Sequence, residues 1–204
     1  MSSSGPRRIS NPLALAVLAY LAQRPMHPYE IGKLLKERDL RQSIDYKHSS
    51  LYMVVDQLHR AGYVAEQETR RDTRRPERTV YSLTPAGRDE LQNWMRQLVA
   101  TPVKEYRRFE AALALIAVLP PLEVLDLLDQ RQQALAEQAD RIRTVVAAAL
   151  DDDVDPLFLI EDEYRLALIE AEATFLQRFR NRIAGRGPTL GTSWPKFHAT
   201  TKTP

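Results

Sequence analysis

Residues 47–87 read KHSSLYMVVDQLHRAGYVAEQETRRDTRRPERTVYSLTPAG, and the hydrophobic period changes inside that stretch. Leu51, Val54, Val55 and Leu58 recur at helical spacing and predict a helix from about Lys47 to Ala61. Gly62 stands where a left-handed residue closes a helix. Tyr63–Glu68 and Thr79–Leu83 then read as two strands, joined by an arginine-rich turn over residues 69–78. Thr84-Pro85 starts the next helix, with a hydroxyl at the N-cap and proline at the first helical position.

Upstream, Asn11-Pro12 repeats that start signal and opens a helix carrying Leu13, Val17, Leu18 and Leu21. A second helix begins at His27-Pro28 and presents Ile31, Leu34 and Leu35. Three helices, a two-stranded hairpin and a further helix carrying Leu91, Trp94, Met95 and Leu98 make the order of a winged helix-turn-helix, with the third helix in the recognition position.

Downstream the chain reads as helical throughout. A helix is expected over Glu105–Leu119, broken by Pro120-Pro121. From Leu122 to about Leu150, Leu125, Leu128, Gln132, Leu135, Ala139, Ile142 and Val146 alternate at steps of three and four, a heptad seam with one polar intrusion. A last helix to about Ile183 carries Leu157, Ile160, Tyr164, Leu168, Ala171, Phe175 and Phe179 on a broad stripe. The seam has two readings, packing on the last helix of its own chain or across a two-fold axis to a second subunit. The dimer reading assigns Leu125, Leu128, Leu135, Ile142, Val146, Leu168 and Phe175 to the interface. The expected organisation is therefore mainly α: a disordered arm (1–10), a winged helix-turn-helix with a two-stranded β-wing (11–100), a helical dimerisation and effector domain (101–184) and a disordered tail (185–204).

Composition narrows the chemistry. With no cysteine in 204 residues, disulfides, thiolate metal sites and thiol catalysis are excluded. The polar first ten residues hold no apolar signal segment, and no apolar run is long enough to span a bilayer, so a cytoplasmic protein is expected. The four histidines, 27, 48, 59 and 198, share no ligand spacing, and no Walker A, dinucleotide or G-x-S-x-G signature occurs. Asp151-Asp152-Asp153-Val154-Asp155 lacks the spaced ligands and central glycine of a calcium loop and reads as an inter-helix turn with Asp155 as N-cap. No enzyme, cofactor or metal site is expected. Charge is divided unevenly: residues 1–104 hold 17 Lys/Arg against 11 Asp/Glu, and residues 105–204 hold 12 against 16. A nucleic-acid-facing half and a partner-facing half follow from that division.

Pro25-Met26-His27-Pro28-Tyr29-Glu30-Ile31, Ser50-Leu51-Tyr52, Leu58-His59-Arg60-Ala61-Gly62-Tyr63-Val64 and Tyr81-Ser82-Leu83-Thr84-Pro85-Ala86-Gly87 together resemble the PadR family of bacterial transcriptional regulators. The match runs through residues 11–100 in order and spacing. Two positions depart from the pattern: Pro28 stands where a glycine is frequent, and Met53 where a proline is frequent. The resemblance implies a DNA-binding regulator, a repressor of a palindromic operator acting as a homodimer. It also implies release by a small aromatic or drug-like effector in some members.

A recognition helix lays its N-terminal half in the major groove, so Lys47, His48, Ser49 and Ser50 are the candidates for base edges or phosphate. Tyr52, matching the family's Leu-Tyr pair, is a candidate phosphate contact, and Tyr29 can touch the backbone from the second helix. Arg70, Arg71, Arg74 and Arg75 at the wing tip suit phosphates or the minor groove of double-stranded DNA. Trp94, Phe109 and Tyr164 are the candidates for an effector pocket. The competing function is a small-molecule sensor or protein-interaction protein with weak or lost DNA binding.

Overall fold

The computed structural model describes residues 11–37, 44, 47–67, 79–188, 190–191 and 193–199, with the side chains of residues 48, 195, 197 and 199 set aside. The chain divides into two compact units, Met1–Lys104 and Glu105–Pro204.

In the first unit the order is α1 (Pro12–Leu21), α2 (Pro28–Glu37), α3 (His48–Arg60), β1 (Val64–Gln67), β2 (Val80–Leu83) and α4 (Pro85–Ala100). Asn11 caps α1 by accepting the Leu13 amide at 2.9 Å. α1 is apolar nearly all round, and Leu13, Ala14, Val17, Leu18 and Leu21 are all buried, so this helix is the centre of the unit. It packs on α3, α4 and β2. α2 adds Ile31 and Leu35, and α3 adds Leu51, Val54, Val55 and Leu58. Gly62, at φ 76°, ends α3 in the left-handed region, and the Tyr63 amide returns to the Leu58 carbonyl at 3.0 Å.

β1 and β2 pair antiparallel, from Val64 opposite Leu83 to Gln67 opposite Val80. The link between α1 and α2 joins this ribbon: Met26 and Tyr81 exchange two backbone hydrogen bonds of 3.0 Å. Met26 is itself buried, so the wing root is tied both to the sheet and to the core.

The second unit contains α5 (Arg108–Ala114), a 3₁₀ turn (Ile116–Val118), α6 (Pro121–Asp151), a second 3₁₀ turn (Pro156–Leu159), α7 (Ile160–Ile183) and α8 (Ser193–Ala199). Asp155 caps the second turn, accepting the Leu157 amide at 2.9 Å. α6 and α7 pack antiparallel. Their core is Val124, Leu128, Leu135, Ala139, Ile142, Ile169, Leu176 and Phe179. Arg131–Glu172 (2.6 Å), Arg143–Glu170 (3.2 Å) and Arg180–Asp129 run along the flank.

Two expectations change. Of the two readings of the heptad seam, packing within one chain accounts for Leu128, Leu135 and Ile142, which are buried with α7, and for Val146, which packs beside them. Leu125 and Leu168 are half-buried, and Phe175 remains exposed. The expected tail over 185–204 contains a helix: Ser193–Ala199 forms α8. It is held by tertiary contacts and not by helix propensity. Trp194 stacks on Phe179, with ring centroids 6.4 Å apart, and donates its indole N–H to the Leu119 carbonyl at 2.8 Å. The expected arm, residues 1–10, lies outside the described residues.

Candidate nucleic-acid interface

The interface is built on α3, which has two faces of different chemistry. Leu51, Val54, Val55 and Leu58 point into the core. At 100° per residue, Ser49, Met53, Asp56 and Arg60 fall on the opposite line, and all four are exposed. Asp56 and Arg60 are ion-paired with each other at i, i+4. Among the described residues the N-terminal part of that line has no ion pair of its own and presents the Ser49 hydroxyl and the Met53 thioether, 60% exposed.

Lys47 is exposed at the N-cap position, and its side chain makes no cap hydrogen bond. The unsatisfied amides and positive end of α3 sit beside it, an arrangement that favours phosphate. Ser50 is half-buried. The position of His48 is on the first turn, but its side chain lies outside the described residues.

α2 reaches the same surface through its start. His27 caps that helix with its ring, Nδ1 accepting the Tyr29 amide at 3.1 Å. The same ring meets Tyr52 of α3 edge-on, with centroids 6.5 Å apart. His27 thus links the α2 start to Tyr52, and both Tyr29 (56% exposed) and Tyr52 (44%) present to the outside. Neither His27 nor Met53 was among the sequence candidates for contact. His27 had a usable signal, its position as N-cap before Pro28; Met53 had one in its apolar character on a polar helix face.

The hairpin is anchored by Thr84 and Gly87. The Thr84 hydroxyl lies 2.7 Å from the Gly62 carbonyl oxygen and 3.0 Å from that of Tyr63, and accepts the Gly87 amide at 3.0 Å. A Cβ on Gly87 would stand 2.0 Å from the Tyr63 carbonyl oxygen, so α4 can begin against β1 only with glycine there. His59 of α3 packs edge-on against Tyr81 of β2 at 5.9 Å. Burial, and then the neighbouring Glu66 carboxylate, push the Tyr81 phenol above its ordinary pKa. Arg24, between α1 and α2, pairs with Glu30, and that hydrogen bond holds the Glu30 carboxyl below the ordinary carboxylate range. The wing candidates Arg70, Arg71, Arg74 and Arg75 lie outside the described residues.

The effector candidates separate. Trp94 packs on the core of the first unit. Phe109, in the second unit, lies beneath the Arg131 guanidinium, 3.7 Å from its ring centroid, and lines a cavity of about 580 Å³ with Leu113, Leu168 and Phe175. Tyr164 is exposed and does not line that cavity. Among the described residues no group of His, Asp and Glu is arranged to hold a metal ion, and no helix is long and apolar enough to cross a membrane.

Residues 17–93 match the model of the transcriptional regulator PadR-like family. The negative transcriptional regulator PadR of Bacillus subtilis (strain 168) is 26% identical over 176 residues, 84% of this chain and 92% of that protein. The solved structure of Bacillus subtilis PadR in complex with operator DNA superposes with a TM-score of 0.65 at 22% identity, covering 88% of this chain and 99% of that one. Bacillus subtilis PadR in complex with p-coumaric acid gives 0.66 at 20% identity, over 84% and 95%.

Proposed function

We propose, from the PadR-like domain that residues 17–93 form, that this chain is a DNA-binding transcriptional regulator, a homodimeric repressor of a palindromic operator in the cytoplasm. The observation that carries the reading is the division of α3 into a fully buried line and an exposed polar line headed by Lys47 and Ser49, on a domain of that family. Lys47, His48, Ser49 and Ser50 enter the major groove, with Met53 beside them. Tyr29 and Tyr52 contact the backbone, and the wing arginines 70, 71, 74 and 75 add phosphate contacts. A dimer places two such helices on half-sites roughly 34 Å apart. Leu168, outside the buried α6–α7 core, is the residue left for the subunit contact, with Leu125 at its margin.

The relative with p-coumaric acid bound supports a small aromatic effector, which would release DNA by favouring the conformation that binds it more weakly. The negative regulator among the relatives supports the repressor sign.

The test is a gel-shift titration on the DNA upstream of the protein's own gene and on a scrambled control, at two salt concentrations. Tight, salt-sensitive binding to the first probe alone is expected. Replacing Arg70, Arg71, Arg74 and Arg75 by Gln should lower the salt slope by about 0.9 for each phosphate that is no longer neutralised. Equal, weak binding to both probes overturns the reading for that operator and favours the sensor function.

A further inference from the structure

A second cavity, of about 520 Å³, lies at the C-terminal end of α7, lined by Phe175, Arg178, Phe179, Arg182, Arg186 and Pro188. Its chemistry is one-sided. No carboxylate is among its walls, and among the described residues none of these three arginines has an acidic partner. Unpaired arginines also occur elsewhere in the unit, at Arg107, Arg108 and Arg141, but among the described residues only here do three of them line one concavity without a carboxylate. Arg131, Arg143, Arg165 and Arg180 each pair with a carboxylate, in a half of the chain where Asp and Glu outnumber Lys and Arg. Three uncompensated guanidinium groups around one concavity make a strongly positive local field.

The remaining wall is aromatic. Phe175 stacks on Phe179 at 5.8 Å, and Phe179 stacks in turn on Trp194 of α8 at 6.4 Å. The chain beyond α7 closes the far side. It turns at Gly185, with φ 73°, and brings the Pro188 carbonyl within 3.1 Å of Arg182 Nε, which donates to it. That bond uses Nε and leaves the terminal nitrogens of Arg182, a residue of the cavity wall, available as donors. Arg178 and Arg182 are one helical turn apart, about 6 Å along the axis, a spacing that linked anionic groups bridge and a single carboxylate does not.

We propose that this cavity is a binding site for an aromatic oligo-anion of the nucleoside polyphosphate class. Its ring would lie against the exposed Phe175, which Phe179 backs from the core, and its phosphates would be held by Arg178, Arg182 and Arg186. Guanidinium groups suit phosphate oxygens through paired N–H donors, and the aromatic wall supplies the ring contact. The site lies within the second unit and does not depend on the DNA-binding reading.

The experiment is isothermal titration of the full chain with adenosine triphosphate, tripolyphosphate and adenosine. Trp194 emission is followed in parallel in a Trp94→Phe variant. Adenosine triphosphate should bind saturably and perturb Trp194, with the charge-only and ring-only probes weaker by about tenfold or more. Arg178→Gln and Arg182→Gln should each weaken it by about tenfold or more, with circular dichroism unchanged. Arg141→Gln, an exposed arginine of α6 away from the cavity, should leave binding as it was. Absence of binding, equal binding of tripolyphosphate, or indifference to Arg178 and Arg182 overturns the proposal. Loss of DNA affinity in those two variants with nucleotide binding intact also overturns it, and gives the arginines to the DNA backbone.

Discussion

The Thr84 hydroxyl stands 2.7 Å from the Gly62 carbonyl oxygen, tying the start of α4 to the glycine that ends α3. α3 and the β-hairpin therefore meet the start of α4 at one knot, tightened by the Gly87 amide on the same hydroxyl. The motif Tyr81-Ser82-Leu83-Thr84-Pro85-Ala86-Gly87 has a mechanical meaning there. Its threonine caps and bridges, and its glycine admits a carbonyl where a methyl group does not fit.

Gly87→Ala should accordingly destabilise the first unit by about 3 kcal/mol, at the upper end of ordinary overpacking, since the Tyr63 carbonyl that obstructs the new Cβ is backbone. Thr84→Ala should cost about 1 kcal/mol and Thr84→Ser much less, because serine keeps the cap. Urea unfolding of the three variants measures this; equal midpoints for the Ala and Ser variants at 84 would refute the capping account.

Met53 is the large apolar side chain that α3 exposes beside Ser49, and the thymine C5-methyl is the apolar feature of the major groove. Met53→Ala should weaken operator binding by about 1 kcal/mol, near one buried methyl group's worth. Replacing individual thymines by uracil should reproduce the loss at one position per half-site, and the two changes should not add there. Additive losses at every thymine would separate Met53 from methyl readout.

The Arg24–Glu30 pair predicts a pH dependence. Its hydrogen bond lowers the Glu30 pKa in the folded state, so its stabilisation is present above the unfolded carboxylate pKa and fades as pH falls through the folded value. Both side chains are largely exposed, so the effect is small and falls with added salt. The Tm difference between wild type and Glu30→Gln should therefore close on acidification. A gap that widens at low pH would mean the carboxylate is not what the arginine stabilises.

Trp194→Ala removes both the stack on Phe179 and the bond to Leu119. It should cost about 2 kcal/mol, less than for a fully enclosed tryptophan. Hydrogen exchange should show the amides of α8 losing protection while those in the middle of α6 keep theirs. Retained protection in Ser193–Ala199 would show that the helix stands without its anchor.

How far the fold could be read from residues depended on how local the cause was. Asn11-Pro12, Thr84-Pro85 and Gly62 act on their own neighbours, and α1, α4 and the end of α3 fall where those residues direct. The bridge between Met26 and Tyr81 couples segments far apart in sequence and left no local mark. The heptad seam of α6 announced a partner without saying which, and α7 of the same chain takes most of it. α5 is shorter than its apolar period suggested, because the chain tightens into a 3₁₀ turn before Pro120-Pro121. α8 carries a proline and no apolar period, so only its distant contacts reveal it. At the candidate interface the residue types on α3 were legible. The ring of His27 against Tyr52 was not, since it depends on how α2 and α3 pack.

The two faces of α3 also separate two kinds of inheritance. Changes at Ser49 and Met53 alter what the helix offers to a base pair and touch none of Leu51, Val54, Val55 or Leu58. If α3 reads DNA as proposed, single replacements at these two positions would change the preferred operator with little effect on folding. The buried line and the exposed line of one helix would then answer to different demands.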